Sequence, residues 1–245
     1  MRASIAVLAA CLSVGCRAAD KSPESGPPAS PGIRPQGGAQ DASPVVRAGA
    51  IPPRYLALGD SFTIGTGSPR DRSFPSRLVA RYHDAGCAVE LRNVAVNGYA
   101  TDDVIDEELP EIASFRPTFV TVTVGANDIV RGRSLADYRT NVRRILSAAR
   151  AGGARVVVVP QPDWSRSPAA AAFGTPASID AAIRAFNAAI AEEAEAAGAS
   201  YVDLTPLMAH QAEARELAPD GLHPSAAAYD AWAEAVARAV PPPCS

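Results

Sequence analysis

From residue 54 onward the chain alternates short apolar runs with amphipathic stretches. Five runs rich in Val, Leu or aromatic residues have the length of buried strands, and one of them, at 156–159, consists only of valine. A continuous β-branched run is typical of a parallel strand covered on both faces. The predicted strands span residues 55–58, 89–96, 119–124, 156–159 and 201–204.

Between these runs, apolar residues recur at helical spacing. The clearest case is Leu135, Tyr138 and Val142, which fall on one face of a pattern that two glycines end after residue 151. A stretch beginning at Asp102 has the same character until Pro110 interrupts it. Further helices are predicted at 74–86, 179–190 and 226–240, and residues 160–176 are predicted to form a long loop.

This alternation of strands and helices predicts an α/β fold. We expect a flavodoxin-like three-layer sandwich, in which a mostly parallel five-stranded sheet of order 2-1-3-4-5 carries helices on both faces. Ligands of such sheets bind at the carboxyl ends of the strands. Polar residues that directly follow strands are therefore the first candidates for a functional site.

The N-terminus has the pattern of an export signal. Residues 1–16 combine a positive start with an apolar run that is too short to span a bilayer. We expect Cys16 to be lipidated; Cys11 fits the lipoprotein cleavage pattern as an alternative, and an ordinary cleaved signal would use neither cysteine. The protein is expected to be exported, either as a membrane-anchored lipoprotein or as a periplasmic or secreted protein.

Residues 17–51 are dense in Pro, Gly, Ser and Ala and offer almost no large side chain to bury. Such a segment is predicted to be a disordered tether. Residues 52–245 are then long enough for one domain with its own core, which we expect to be a monomer.

Composition narrows the possible partners. A net charge of −3 offers no basic face for nucleic acid, so nucleic-acid binding is not expected. No His-Glu-x-x-His motif and no closely spaced Cys/His pair occurs in the sequence, so neither a metal nor another cofactor is expected. Membrane contact is expected only through the N-terminal anchor.

Two cysteines, Cys87 and Cys244, remain in the predicted domain. In the expected topology one follows the first helix and the other follows the last, and these helices commonly share a face of a 2-1-3-4-5 sheet. Export would place both where disulfides persist. We predict a Cys87–Cys244 disulfide, with two separate thiols as the alternative.

Several residues with chemical potential follow predicted strands. Ser61, Gly98 and Asn127 come after the first, second and third strands, and His223 lies near the C-terminus three residues after Asp220. Because these positions meet at one edge of the sheet, they can supply a nucleophile, an oxyanion hole and a base.

At these positions the chain resembles the SGNH hydrolases, the GDSL-type lipases and esterases. The resemblance covers about residues 54–240, and the Gly-x-Ser-x-Gly motif of ordinary α/β-hydrolases is absent from the sequence. The blocks that carry it are Gly59-Asp60-Ser61-Phe62, Asn97-Gly98, Gly125-Ala126-Asn127-Asp128 and Asp220-Gly221-Leu222-His223.

The resemblance implies a catalytic role for each block. Ser61 would be the nucleophile and His223 its general base, with Asp220 orienting the imidazole. The other two histidines fit less well, because His83 falls in a predicted helix and His210 has no carboxylate three residues before it.

The oxyanion hole would combine the backbone N–H groups of Ser61 and Gly98 with the side-chain amide of Asn127. Asp60 is expected to shape the turn by accepting nearby backbone N–H groups rather than to act as a second catalytic acid.

The expected function is therefore hydrolysis of a small acyl ester, acetyl or short-chain, through an acyl-enzyme. A lysophospholipase or thioesterase of the same family is an alternative. Two further alternatives are a binding protein with a phosphate-binding loop at 59–67 and an inactive surface lipoprotein. The loop at 59–67 lacks the Gly-Lys-Ser/Thr ending of phosphate-binding loops. Trp164 and Phe173 either wall the acyl pocket or simply pack the long loop onto the domain.

Overall fold

The computed structural model describes residues 51–244. The predicted signal sequence with Cys11 and Cys16, and residues 17–50 of the predicted tether, lie outside the described residues. Within the described part, no helix is long and apolar enough to cross a membrane.

The sheet has five strands, all parallel, in the order β2-β1-β3-β4-β5. This confirms the predicted fold class and strand order. The two edge strands are shorter than predicted because each pairs with only one neighbour before the chain turns away. The strands are β1 Arg54–Gly59, β2 Glu90–Asn93, β3 Phe119–Thr123, β4 Arg155–Val158 and β5 Ser200–Tyr201.

Helices cover both faces of the sheet. Four of them begin at a Ser or Thr whose side chain accepts a backbone N–H of the first turn, namely Ser73, Ser134, Thr175 and Ser225. The helices are α1 Ser61–Ile64, α2 Phe74–Asp84, α3 Thr101–Asp103, α4 Pro110–Phe115, α5 Ala126–Val130, α6 Leu135–Ala151, α7 Pro176–Ala196, α8 Thr205–Ala214 and α9 Ala226–Ala239.

Three of these helices were not expected from the sequence. The short α1 and α5 each begin directly after a strand, and α8 fills the stretch between β5 and the last helix. His210, expected in a polar stretch, lies on α8. The predicted long loop contains one 3₁₀ turn, Pro168–Ala172.

The core consists of two apolar layers, one on each face of the sheet. Along β1, Tyr55 and Ala57 face the layer that contains α2 and α9, whereas Leu56 and Leu58 face the layer that contains α6. Side chains that alternate in this way and are all apolar are typical of a strand buried on both faces.

The helix that follows β2 continues through Pro110 instead of ending there. Between α3 and α4, residues Val104–Glu108 form a π turn, and the Leu109 N–H bonds to the Val104 carbonyl 3.0 Å away. Because Pro110 is the first residue of α4, it needs no N–H partner within that helix. The π turn therefore accommodates a proline that the sequence pattern marked as an interruption.

The structure joins Cys87 to Cys244 by a disulfide, with 5.6 Å between the two Cα atoms. The helices α2 and α9 lie side by side, and Arg77 on α2 forms an ion pair of 2.7 Å with Asp230 on α9. The cysteines lie near the starts of the strands. Cys87 precedes the first residue of β2 by three positions, and Cys244 Sγ lies 4.0 Å from the Ala88 carbonyl, so the disulfide lies at the amino edge of the sheet.

Candidate active site

Ser61 is the first residue of α1, directly after β1. The carboxylate of Asp60 accepts the backbone N–H of Phe62 at 3.0 Å, so Asp60 caps this short helix, as the sequence suggested. The first N–H groups of a helix have no partner within the helix, which leaves the Ser61 amide directed toward the space before α1. Ser61 itself is 6% exposed.

Gly98 lies in an exposed turn that is held by Asn127 on α5 and by Arg131, the residue directly after that helix. Its φ of +87° is the left-handed conformation that favours glycine. The amide Nδ2 of Asn127 donates to the Tyr99 carbonyl at 2.9 Å, and Arg131 Nη2 donates to the Gly98 carbonyl at 2.8 Å. The second N–H of the Asn127 amide remains for another acceptor.

Asp128 also holds this turn in place, through Thr101 at its end. Its buried carboxylate accepts both the backbone N–H and the hydroxyl of Thr101, at 3.0 and 2.6 Å. Arg133 contacts the same carboxylate at 2.6 Å. Burial raises the pKa of Asp128, and the bonds from Thr101 and the charge of Arg133 act against that rise. The sequence placed Asp128 in a motif block without assigning it a role, and gave no signal for Thr101, Arg131 or Arg133.

Asp220 and His223 form a local pair on the loop before α9. The Oδ2 atom of Asp220 lies 2.7 Å from Nδ1 of His223, and Oδ1 accepts the backbone N–H groups of Leu222 and His223, both at 3.0 Å. Burial would raise the pKa of Asp220, but these hydrogen bonds hold it below its ordinary value. The carboxylate is thus charged and fixed beside an imidazole that is 7% exposed.

The segments that carry Ser61 and His223 are in direct contact. The ring of Phe62 lies 5.4 Å from the imidazole of His223, centroid to centroid. A Cβ added at Gly67 would lie 3.4 Å from the His223 Cβ and 3.3 Å from Asp220 Oδ2. Within the described residues, the Ser61 hydroxyl and the His223 imidazole are not joined by a hydrogen bond.

The two aromatic residues of the segment after β4 have different environments. Trp164 is buried in the core and donates from Nε1 to Gln161 at 3.1 Å, so it packs the segment onto the domain. Phe173 is 49% exposed and lies edge-on to Trp164.

A cavity of about 1040 Å³ opens beside this segment, between α7 and α8. Its lining includes Asp163, Arg184 and Met208 but none of Ser61, Gly98, Asn127, Asp220 and His223. The convergent polar groups of the site therefore lie outside this cavity. Within residues 51–244, no cluster of three or more His, Cys, Asp or Glu residues is arranged to hold a metal ion.

The fold and the motif residues are those of an SGNH-type hydrolase. A sequence model of the GDSL-like lipase/acylhydrolase family matches residues 57–231, and the chain belongs to this family. It is a hydrolase of carboxylic esters.

Two relatives of the chain are named as esterases. The chain is 24% identical over 176 residues to esterase TesA of Pseudomonas aeruginosa, which covers 71% of this chain and 80% of that protein. It is 30% identical over 107 residues to an arylesterase of Vibrio mimicus, a match that covers 43% of this chain and spans only 53% of that protein's length. A crystal structure of TesA superimposes with a TM-score of 0.65 at 24% identity, covering 78% of this chain and 99% of that one.

Proposed function

We propose that the protein is a serine esterase that cleaves small acyl esters, acetyl or short-chain, through an acyl-enzyme. Ser61 is the nucleophile, His223 the general base and Asp220 the residue that orients the imidazole. The observation that carries the proposal is the 2.7 Å contact between Asp220 Oδ2 and His223 Nδ1, on a loop packed against the segment of Ser61.

This contact fixes the chemistry of the imidazole. With Nδ1–H donating to Asp220, the other nitrogen, Nε2, is left as the acceptor for the hydroxyl proton of Ser61. Catalytic hydrogen bonds often tighten only when substrate binds, so the absence of a bond from Ser61 in the free protein is compatible with this role.

The reaction then proceeds in two balanced halves. Ser61 Oγ attacks the carbonyl carbon as its proton passes to His223; the tetrahedral intermediate collapses, and the alcohol leaves with that proton. Water, deprotonated by His223, attacks the acyl-enzyme in the same way and releases the acid and the free serine. The amides of Ser61, Gly98 and Asn127 stabilise the oxyanion in both halves.

The similarity to the arylesterase of Vibrio mimicus supports esters of phenols as test substrates. Two exposed valines, Val96 and Val130, lie close in sequence to Gly98 and Asn127, so they offer apolar contacts near the proposed oxyanion hole. A lysophospholipase or thioesterase would use the same catalytic residues on longer acyl chains. The acyl length is therefore a property to be measured.

The test is hydrolysis of p-nitrophenyl esters, from acetate to palmitate, by residues 51–245 and by variants of the proposed nucleophile and base. We expect Ser61→Ala and His223→Ala to lose turnover by several orders of magnitude while circular dichroism stays native. His83→Ala and His210→Ala are matched controls, because both histidines are exposed, and they should retain turnover. Turnover by folded Ser61→Ala would remove Ser61 from the mechanism.

We further propose that the enzyme works outside the cytoplasm. The Cys87–Cys244 disulfide supports this location, since structural disulfides persist in oxidising compartments. Cell fractionation of the full chain, with Cys16→Ser and Cys11→Ser variants, tests the lipid anchor. Loss of membrane association in only one variant would identify the lipidated cysteine.

A further inference from the structure

A glutamate is buried directly behind the turn that carries Ser61. Glu108 is the last residue of the π turn and is only 1% exposed. It occupies a position on the inward face of the helix, after the buried residues Val104 and Ile105, where an apolar side chain is the rule. π turns within helices frequently occur at functional sites.

Glu108 takes the place of a strand partner for β1. The edge strand β2 pairs with β1 up to Asn93, opposite Ala57, and the following residue, Val94, donates to the Ala57 carbonyl at 3.2 Å. Alternate residues of a strand face the same neighbour, so the Gly59 N–H points to the side that β2 has left. Oε2 of Glu108 accepts that N–H at 2.8 Å.

The turn held in this way is tightly packed. Gly59 has a φ of +150°, and a Cβ at this position would lie 2.2 Å from the Thr123 carbonyl oxygen and 2.4 Å from Thr63 Oγ1. Since Ser61 follows two residues later, a shift of Gly59 away from Glu108 moves the helix start that positions the nucleophile.

The surroundings of Glu108 are acidic. Asp60 on the turn and Asp103 on the preceding helical turn both raise its pKa. On α6, the buried Tyr138 interacts with Asp60, and its hydroxyl donates to the Val124 carbonyl. In the part of the chain that the structure describes, no salt bridge involves Glu108 or Asp60. Glu108 Oε1 and Asp60 Oδ2 are buried there without a hydrogen-bond partner.

Two buried acids without a cation cannot both be charged at low cost. Burial raises the pKa of Glu108 to about 9; the neighbouring Asp60 and Asp103 add to the rise, and the backbone N–H groups of Gly59 and Val96 act against it. Burial also raises the pKa of Asp60, to about 7. At neutral pH Glu108 is therefore the protonated acid, with Oε2 free to accept from Gly59.

We propose that Glu108 is a positioning residue that acts as a neutral acid: it holds the Gly59–Ser61 turn by accepting the Gly59 N–H, and its ionisation in alkaline solution disturbs the turn and lowers turnover. The effect on turnover rests on the proposed function of Ser61. The effect of Glu108 on the turn does not.

The first test compares the pH dependence of kcat for the wild type, Glu108→Gln and Glu107→Gln between pH 6 and 10, with the uncatalysed rate subtracted. Glutamine keeps the carbonyl acceptor but cannot ionise, and Glu107 is an exposed neighbour that serves as the control. Between pH 8 and 10 the wild type and Glu107→Gln should lose about tenfold in kcat, as expected for a group that titrates near pH 9. Glu108→Gln should match the wild type at pH 7 within about twofold and lose less than about twofold up to pH 10.

An alkaline loss that is the same in Glu108→Gln and the wild type would overturn the proposal. So would a folded Glu108→Gln variant that has lost tenfold or more in kcat at pH 7, because a charged Glu108 would then be required.

The second test is independent of catalysis. Urea unfolding midpoints are measured at pH 6 to 9 for Ser61→Ala and for Ser61→Ala/Glu108→Gln. The midpoint of the double variant should rise relative to that of Ser61→Ala as the pH increases. A constant difference would mean that Glu108 titrates at its ordinary value and would refute the buried neutral acid, whatever the role of Ser61.

Discussion

Replacement of Asn127 by alanine separates the chemical role of the amide from its structural role. In the free protein the side chain donates one N–H to the Tyr99 carbonyl at 2.9 Å, and the proposed mechanism assigns the other N–H to the oxyanion. Asn127→Ala removes both bonds. Loss of the bond to the oxyanion lowers kcat, whereas loss of the bond to the Tyr99 carbonyl lowers the free energy of unfolding.

The expected magnitudes follow from these two bonds. Loss of one oxyanion donor lowers kcat by about 10²–10³, or about 3–4 kcal/mol of transition-state stabilisation. Loss of a single neutral hydrogen bond to Tyr99 costs about 1 kcal/mol of stability, which lowers Tm by about 2–4 °C in a domain of this size.

Asn141→Ala is the matched control. The Asn141 amide donates to the Thr101 hydroxyl at 2.9 Å, so it supports the same turn from α6 without a place in the proposed oxyanion hole. Both variants should show similar losses in Tm, and only Asn127→Ala should lose kcat in p-nitrophenyl acetate hydrolysis. If kcat of Asn127→Ala stays within about threefold of the wild type, or if Asn141→Ala loses as much, Asn127 is not an oxyanion donor.

Two further predictions concern the support of the site and of the fold. Arg131→Ala removes the hydrogen bond to the Gly98 carbonyl, worth about 1 kcal/mol, so kcat should fall about fivefold with KM nearly unchanged. Arg144→Ala, on the exposed face of α6, is the control and should have no effect. An equal loss in both variants would contradict a role for Arg131 at Gly98. Cys87→Ser/Cys244→Ser opens a closure of 157 residues, so the unfolding free energy should fall by about 2–5 kcal/mol while kcat is retained, because the disulfide lies at the opposite edge of the sheet from Ser61. A kcat that fell together with stability would show that the two edges are coupled.

The sheet and its site could be predicted because local signals carry them. Short β-branched runs, such as the valines of β4, are typical of buried parallel strands, and Ser61, Gly98 and Asn127 each follow a predicted strand. Asp220 and His223 are three residues apart, so one loop is enough to join them. None of these inferences requires knowledge of a distant contact.

The missed elements depend on distant contacts. Helix α8 has no clear apolar face, and its buried Gln211 makes sense only once the Trp232 indole N–H is seen to donate to it at 2.7 Å. Glu108 is similar, since its partner Gly59 lies 49 residues away in the sequence. An acid at an apolar helix position was the available signal.

The neutral state of Glu108 also makes a stability prediction whose sign can be worked out. The unfolded chain releases the proton near the ordinary pKa of 4.5, whereas the folded protein keeps it up to a pKa of about 9. The folded state therefore binds more protons between these values, and its stability falls as the pH rises from 4.5 toward 9. Glu108→Gln removes this loss, which at pH 7 is on the order of 3 kcal/mol.

This gain is similar in size to the loss expected without the disulfide, and the two positions lie at opposite edges of the sheet without shared partners. Effects of such separate sites add. Adding Glu108→Gln to Cys87→Ser/Cys244→Ser should therefore recover most of the lost unfolding free energy at pH 7. At pH 5, only half a unit above the ordinary pKa of 4.5, it should recover less than about 1 kcal/mol. Urea unfolding at the two pH values measures this directly, with Glu107→Gln as the control. Equal recovery at pH 5 and pH 7 would mean that the glutamine acts through packing, and the buried proton of Glu108 would have to be abandoned.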